Sequence, residues 1–394
     1  METPKKPNIK LPEGFYLAWV PERNVWQMRP IVGYSDKYLV NKPNPFIPKK
    51  EEKPVEPKER KEGTKNGSLH DAKLAKNDEF YTRYEDIAEE LKEYDGFFKG
   101  KVVYCNCDKA FNFGRSQFFE YFQVNFHRLG LKKLIATQIV PNGRGIKWTY
   151  DGVPPTSPLD ESEICTEFLK GDGSFQSAEC REILKECDVV VTNPPFSLFR
   201  EFVDTLIAYG KKFLIIGNKN AITYKEIFPL IKDNKLWLGF TSPKGFDQPS
   251  THEVKQMAGL TRWFTNIEHR KHQTPLYLRE GASVCSIKYP KYDNYDAINV
   301  DDVKMIPHDY DGVMGVPITF LDKYCPSQFE IIGIDSTDFA EEIGIQPMGA
   351  EFIRKYRENG GTGHYTEGMR NLCYYENDGT PKKVYSRILI RKVK

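Results

Sequence analysis

At Asn193-Pro194-Pro195-Phe196 two prolines stand between an amide side chain and an aromatic ring, directly after the apolar run Val189-Val190-Val191-Thr192. Consecutive prolines remove two backbone N–H donors and fix two φ angles. At the end of a strand, the Pro194 carbonyl is then held outward with no ladder partner. The Asn193 side chain offers a second carbonyl oxygen beside it. Two neighbouring acceptors suit an amino group with two hydrogens to donate. Accepting both moves electron density onto the nitrogen, and an in-line sulfonium methyl can then be transferred without a covalent enzyme intermediate. Phe196 adds a face on which a planar base can stack, worth roughly 1–3 kcal/mol. Read alone, the motif supports methyl transfer to some planar amino group; the plainer reading is a rigid turn that ends a strand.

A methyl donor needs a nucleoside site, and several stretches offer one. Cys105-Asn106-Cys107-Asp108 replaces the Gly-rich turn expected after a first strand, with Asn112-Phe113-Gly114 following. Asp108 suits the amino group or ribose of the donor, or else the cap of a helix. A second strand ends Ala136-Thr137-Gln138, with no acidic residue to grip ribose hydroxyls. In Gly171-Asp172-Gly173, Asp172 can accept from the donor's adenine amino group or simply make an Asp-Gly turn. Phe80-Tyr81-Thr82 precedes a helix, where its backbone can meet the donor's carboxylate or serve only as a capping segment. Cys105 and Cys107 fall on one face of a strand. No second Cys or His pair at ligand spacing accompanies them, so no metal site is expected.

These residues need a frame, and the apolar periodicity supplies it. Tyr84, Ile87, Ala88, Leu91 and Tyr94 recur at helical spacing. A strand is expected over 101–107, then a helix from Ser116 stopping at Gly130. Further strands are expected over 134–140, 164–169, 188–192 and 213–216. Helices are expected over 177–187 and 224–231, and another after Asn193-Phe196 that Ser197 would cap. Strands alternating with helices imply an α/β fold with a mainly parallel sheet, which binds ligands at the carboxyl ends of its strands.

Outside this frame the composition changes. Ten of the 26 prolines lie between residues 4 and 57, and residues 49–65 are mostly charged. We read 1–41 as a small aromatic β unit, 42–68 as a charged Pro-rich linker, 69–239 as the catalytic core and 240–394 as an irregular region whose final strand returns to that core. The hairpin of the first unit can bind something or be a strap on the main domain. With 57 basic and 55 acidic side chains, any nucleic-acid affinity must be local rather than global. No apolar run reaches membrane-spanning length and no secretory leader is apparent. The eight cysteines are scattered, so a disulfide scaffold is not expected and the cytoplasm is the expected compartment.

The chain resembles the EcoRI-type adenine-specific DNA methyltransferases. The resemblance is carried by Asp78 to Thr82, Val102 to Asp108, Leu131 to Ala136, Gly171 to Gly173, Asp188 to Phe199, Tyr289 to Val300 and Gly312 to Leu321. It implies a Rossmann-like class I fold, S-adenosylmethionine as donor, N6-methylation of an adenine flipped out of duplex DNA, and target recognition in the C-terminal half. Carried over, Asn193, Pro194 and Phe196 are the amino-group and base-stacking residues, and Asp108 and Asp172 belong to the cofactor site. We add Pro195 to the catalytic set, and Phe80, Tyr81, Thr82, Cys105, Asn106 and again Asn193 to the cofactor set. For DNA contact we expect His269, Arg270, Lys271, Lys288, Lys291 and Tyr292. A monomer is expected, and a cognate restriction endonuclease acting on the same site is a compatible partner. Methylation of RNA adenine or protein glutamine, and a catalytically silent DNA-binding module, remain the alternatives.

Overall fold

A computed structural model describes residues 81–107, 116–140, 143–153, 164–247, 259–336, 338–362 and 368–393, and the backbone of 15–20, 25–30 and 254–256. The linker 42–68, Phe80 and Asp108 lie outside the described residues. The chain divides into two compact units, one of residues 1–218 with 241–263 and the other of 219–240 with 264–394. The sequence-based boundary at 239 is therefore corrected. The strand Thr261–Thr265 lies next to a strand of the first unit's sheet, and its Thr261, Arg262 and Trp263 are buried.

The first unit opens with β1 (Phe15–Val20) paired antiparallel to β2 (Val25–Pro30), the expected hairpin. β2 lies against β7 (Cys165–Phe168), as a strap would. After β3 (Tyr81–Thr82) comes α1 (Tyr84–Leu91), which buries Ile87 and Leu91. Two carboxylates of α1 also face inward. Glu90 accepts from the Thr241 N–H and hydroxyl at 2.5 and 2.6 Å, and Asp86 from the Lys244 N–H at 3.0 Å. They tie segment 241–245 to this helix, because buried acceptors are stable only when their donors are supplied.

The sheet is built on β4 (Val102–Cys105), β5 (Lys133–Gln138), β8 (Val189–Thr192) and β9 (Lys212–Asn218), parallel in the order β9-β8-β4-β5. Every residue of β4 and β8 is buried, as strands covered on both faces require. Between them run α2 (Gln117–Val124), α3 (Ala178–Glu186) and α4 (Phe199–Ala208). Ser116 caps α2 by accepting from the Phe119 N–H at 3.1 Å, and Ser177 caps α3 likewise through Cys180. Ser197 does not cap α4. It falls inside a 3-10 turn, Phe196–Leu198, and the residue at the helix start is Leu198.

The sheet is mixed rather than mainly parallel. β6 (Ile146–Tyr150) returns antiparallel beside β5, and β7 antiparallel beside β6. The connection from Gln138 to Ile146 is shorter than the dozen or so residues a parallel crossover needs. β7 is thus an edge strand of a meander.

The second unit has its own four-stranded sheet, ordered Ile298–Asn299, Met314–Pro317, Arg387–Lys392, Phe329–Ile334. The final strand belongs here and not to the first unit's sheet, which corrects the expected return to the core. Its register, Ile390 opposite both Met314 and Ile331, sets three apolar side chains side by side. Among the described residues no helix is long and apolar enough to cross a membrane, and no group of His, Cys, Asp or Glu is placed to hold a metal ion.

One buried acid makes the second unit sensitive to pH. Asp335 is 1% exposed; Oδ2 accepts from the Leu372 N–H at 3.0 Å, while the buried Oδ1 accepts nothing. Burial raises its pKa to about 6 against the pull of that N–H, Lys383 and Arg387. The folded state therefore holds a proton that the unfolded chain has lost, and stability falls as pH rises from about 4 through 6. The contribution is on the order of 2–3 kcal/mol. Asp335→Asn is expected to flatten that part of the profile, measured as denaturant midpoints against pH; a slope identical to wild type would refute the assignment.

Candidate active site

β4 and β8 are neighbours, and the chain leaves them in opposite directions across the sheet, from β4 to β5 and from β8 to β9. Their carboxyl ends flank a topological switch point, the crevice where open α/β sheets bind ligands. Asn106 and Cys107 follow β4 at this edge, Gln138 ends β5, and Asn193 to Phe196 follow β8. The sequence-nominated catalytic stretch and part of the nominated cofactor set are thus brought together.

The loop after β4 is held in an unusual shape. Cys107 has φ 61°, a left-handed conformation costing roughly 1–2 kcal/mol for a residue with a Cβ. The Thr192 hydroxyl donates to the Asn106 carbonyl, tying this loop to the last residue of β8. Asn106 is buried, and its Oδ1 accepts no hydrogen bond. The same is true of Gln138 Oε1 at the end of β5. Each buried, unmatched carbonyl costs about 1–3 kcal/mol unless a bound group supplies a donor. Two at neighbouring strand ends fit a ligand rich in hydroxyl and amino donors, as a nucleoside is.

Gly171-Asp172-Gly173 is pinned to that edge. The Val140 N–H donates to the Asp172 carbonyl at 2.7 Å and the Gly145 N–H to the Gly171 carbonyl at 2.8 Å. Gly173 has φ +84°, and a Cβ there would lie 2.3 Å from the Gln138 carbonyl oxygen. The Asp172 side chain is exposed, with Oδ1 accepting from the Ser174 N–H at 2.9 Å. The turn reading therefore holds, and the turn is also placed beside the end of β5.

In the Asn193 to Phe196 motif, Asn193 and Phe196 are half-buried, Pro194 is buried and Pro195 exposed. The buried Asn193 Oδ1 accepts no hydrogen bond, while other atoms of that residue are engaged. The Leu198 N–H donates to the Pro195 carbonyl at 3.0 Å, so the 3-10 turn does not draw on the carbonyl of Pro194. Beneath, the Tyr104 hydroxyl meets Thr137 Oγ1 at 2.8 Å. Burial pushes that phenol well above its usual range, which makes it a neutral strut between β4 and β5.

The remaining candidates are distributed otherwise. Cys105 is fully buried within β4, leaving only its backbone for a ligand. Tyr81 and Thr82 form β3, paired with Asp247 and Phe246 in a separate three-stranded sheet. Of the residues expected on DNA, two are corrected. His269 is buried in the second unit, with Nε2 2.8 Å from the Leu238 carbonyl, and accepts from the His272 N–H as a helix cap. Tyr292 is a core residue whose hydroxyl donates to Asn299 Oδ1 at 2.8 Å and whose ring covers Gly315. Arg270, Lys271, Lys288 and Lys291 are exposed, Lys288 donating to Asn377 at 2.9 Å. Gln138 was missed. Attention to an acid at that position hid an amide able to accept there, although its place at a strand end was readable.

Comparison with known proteins shows the family of the chain. A family described as adenine-specific methyltransferase EcoRI matches residues 68–393. The chain is 46% identical to the Type II methyltransferase M.EcoRI of Escherichia coli, over 70% of this chain and 92% of that one. It is 43% identical to the Type II methyltransferase M.MpnI of Mycoplasma pneumoniae, over 68% and 86% respectively. No solved structure matches. With the family's pattern spanning both units, the chain belongs to the EcoRI family of adenine-specific methyltransferases.

Proposed function

We propose that the protein is a site-specific DNA methyltransferase that moves a methyl group from S-adenosylmethionine to the N6 amino group of an adenine flipped out of duplex DNA. The observation that carries this is Asn193-Pro194-Pro195-Phe196 at the carboxyl end of β8, beside the unmatched Asn106 and Gln138 acceptors. The four parallel strands then act as the Rossmann-like part of a class I methyltransferase.

When bound, the donor supplies an activated methyl on sulfur. Asn106, Gln138 and the turn of Asp172 would hold its hydroxyl and amino groups, with Cys105 contributing backbone. Asp108 and the Phe80-Tyr81-Thr82 segment belong to the same assignment. Asn193 stands between the two ligands. Its side-chain oxygen and the Pro194 carbonyl accept the two hydrogens of the adenine amino group and turn the nitrogen lone pair outward. Pro195 fixes the chain so that these acceptors need not reorganise. Phe196 stacks on the flipped base. No side chain need act as a strong base, since a methylated amino nitrogen would be acidic enough to pass its extra proton to water.

The second unit serves as the recognition region in this reading, with Arg270, Lys271, Lys288 and Lys291 on phosphates. The protein works as a cytoplasmic monomer, alone or beside an endonuclease cutting the same site. The test is transfer of labelled methyl from S-adenosylmethionine to duplex DNA, RNA and protein in parallel, followed by sequencing of the modified DNA. Label in adenine of duplex DNA is expected; label only in RNA or protein would overturn the reading.

A further inference from the structure

The histidines at 269 and 272 prove to be inner supports, and what they support is a surface. His272 is buried, stacked on Trp237 at 4.2 Å, with Nδ1 2.8 Å from Glu268 Oε2 and Nε2 3.0 Å from Asn234 Oδ1. With His269 fixed to Leu238, the one-turn helix Arg270–Gln273 cannot rotate. Its two cations face outward against the Phe240 ring, Arg270 at 5.1 Å and Lys271 at 4.9 Å from the centroid.

The next residues lie outside helix and strand and are clamped. The Leu276 N–H donates to Gln328 Oε1 at 2.6 Å, and Gln328 Nε2 donates back to the Leu276 carbonyl at 2.8 Å. Leu276 and Leu278 are half-buried, so the alternation turns Tyr277 and Arg279 outward, and Tyr277 is 78% exposed. Between residues 270 and 279 there are three cations and no acid, Glu280 being the first. Arg279 forms no ion pair among the described residues. A single exposed tyrosine is ordinary on a protein surface. One that follows a backbone held by a two-way amide clamp, in a stretch with three cations and no acid, is placed for a ligand that is both anionic and aromatic.

We infer that residues 270–279 are a DNA-contacting strip, in which the Tyr277 ring packs on a base or deoxyribose and Arg279 joins Arg270 and Lys271 on phosphates. This rests on the duplex-DNA reading above and adds Tyr277 and Arg279 to it. In such a strip the two side chains contribute differently. The ring adds affinity independent of salt, whereas each lost phosphate contact lowers the slope of log affinity against log salt by about 0.9.

The experiment measures binding of the full chain to a duplex carrying its own methylated site across a range of salt. Tyr277→Ala is expected to weaken binding roughly tenfold with the slope unchanged, and Tyr277→Phe to restore it. Arg279→Ala should reduce the slope by about one. Thermal midpoints matching wild type would confirm that the exposed substitutions leave the fold intact. If wild type binds the duplex and Tyr277→Ala and Arg279→Ala bind within twofold with the same slope, the strip is wrong and the function stands. If wild type binds no duplex at any salt, both fall.

Discussion

Replacing Asn193 by alanine is expected to lower the methylation rate at least about 10²- to 10³-fold while leaving affinity for S-adenosylmethionine within a few-fold. The magnitude follows from losing one preorganised polar contact to the reacting group. The separation follows from where the partner lies: in the proposed roles the Asn193 oxygen meets the target amine, whereas Asn106 and Gln138 meet the donor. Asn193→Asp sharpens the test, because a carboxylate still accepts hydrogens and should recover part of the rate. Phe196→Ala should act mainly on productive base binding, and Phe196→Trp should be tolerated. The measurements are single-turnover transfer of labelled methyl and calorimetry of the donor. Equal losses in rate and donor affinity for Asn193→Ala would place Asn193 in the cofactor site alone. A rate close to wild type would remove it from catalysis.

What made this site legible was local. A Val-Val-Val-Thr run followed by two prolines has few conformations open to it, and the strand, its abrupt end and the outward carbonyl all follow from the residues themselves. The helix starts at Ser116 and Ser177 were legible for a similar reason, and the structure makes both residues caps with partners three residues away. Ser197 failed because the prolines before it impose a 3-10 turn that a capping rule does not anticipate. The antiparallel β6 was overlooked although Ile146, Trp148 and Tyr150 alternate as a half-buried strand should, and are all buried. Long-range facts were hidden outright. Nothing near Thr261 announces that its strand lies beside β9, and nothing near Arg387 that its strand pairs in a second sheet. Charge misled at His269 and aromaticity at Tyr292, because both residue types serve equally inside a core once their polar atoms find partners.

Substituting Gly173 by alanine is expected to damage both stability and donor binding, and its neighbour Gly171 provides the control. At Gly173 the backbone has φ +84°, and an added Cβ would stand 2.3 Å from the Gln138 carbonyl oxygen and 3.1 Å from Gly145 Cα. Those contacts are backbone, so no side chain can swing aside. The left-handed φ alone costs roughly 1–2 kcal/mol, and relief of the clash must shift β5, the turn of Asp172 or both. A total of about 2–4 kcal/mol is expected. A shift of the turn breaks the Val140–Asp172 and Gly145–Gly171 hydrogen bonds that hold it beside Gln138. Donor affinity should then fall at least about tenfold even where the protein remains folded, by the loss of positioning alone. At Gly171 nothing lies within 4 Å of an added Cβ and φ is not in the left-handed range. Gly171→Ala should therefore match wild type within about 0.5 kcal/mol. Denaturant unfolding and calorimetric titration of the donor decide the matter. Two variants alike in stability would refute the packing argument. A destabilised Gly173→Ala that binds the donor normally would detach the turn of Asp172 from the cofactor site and leave Asn106 and Gln138 to hold it.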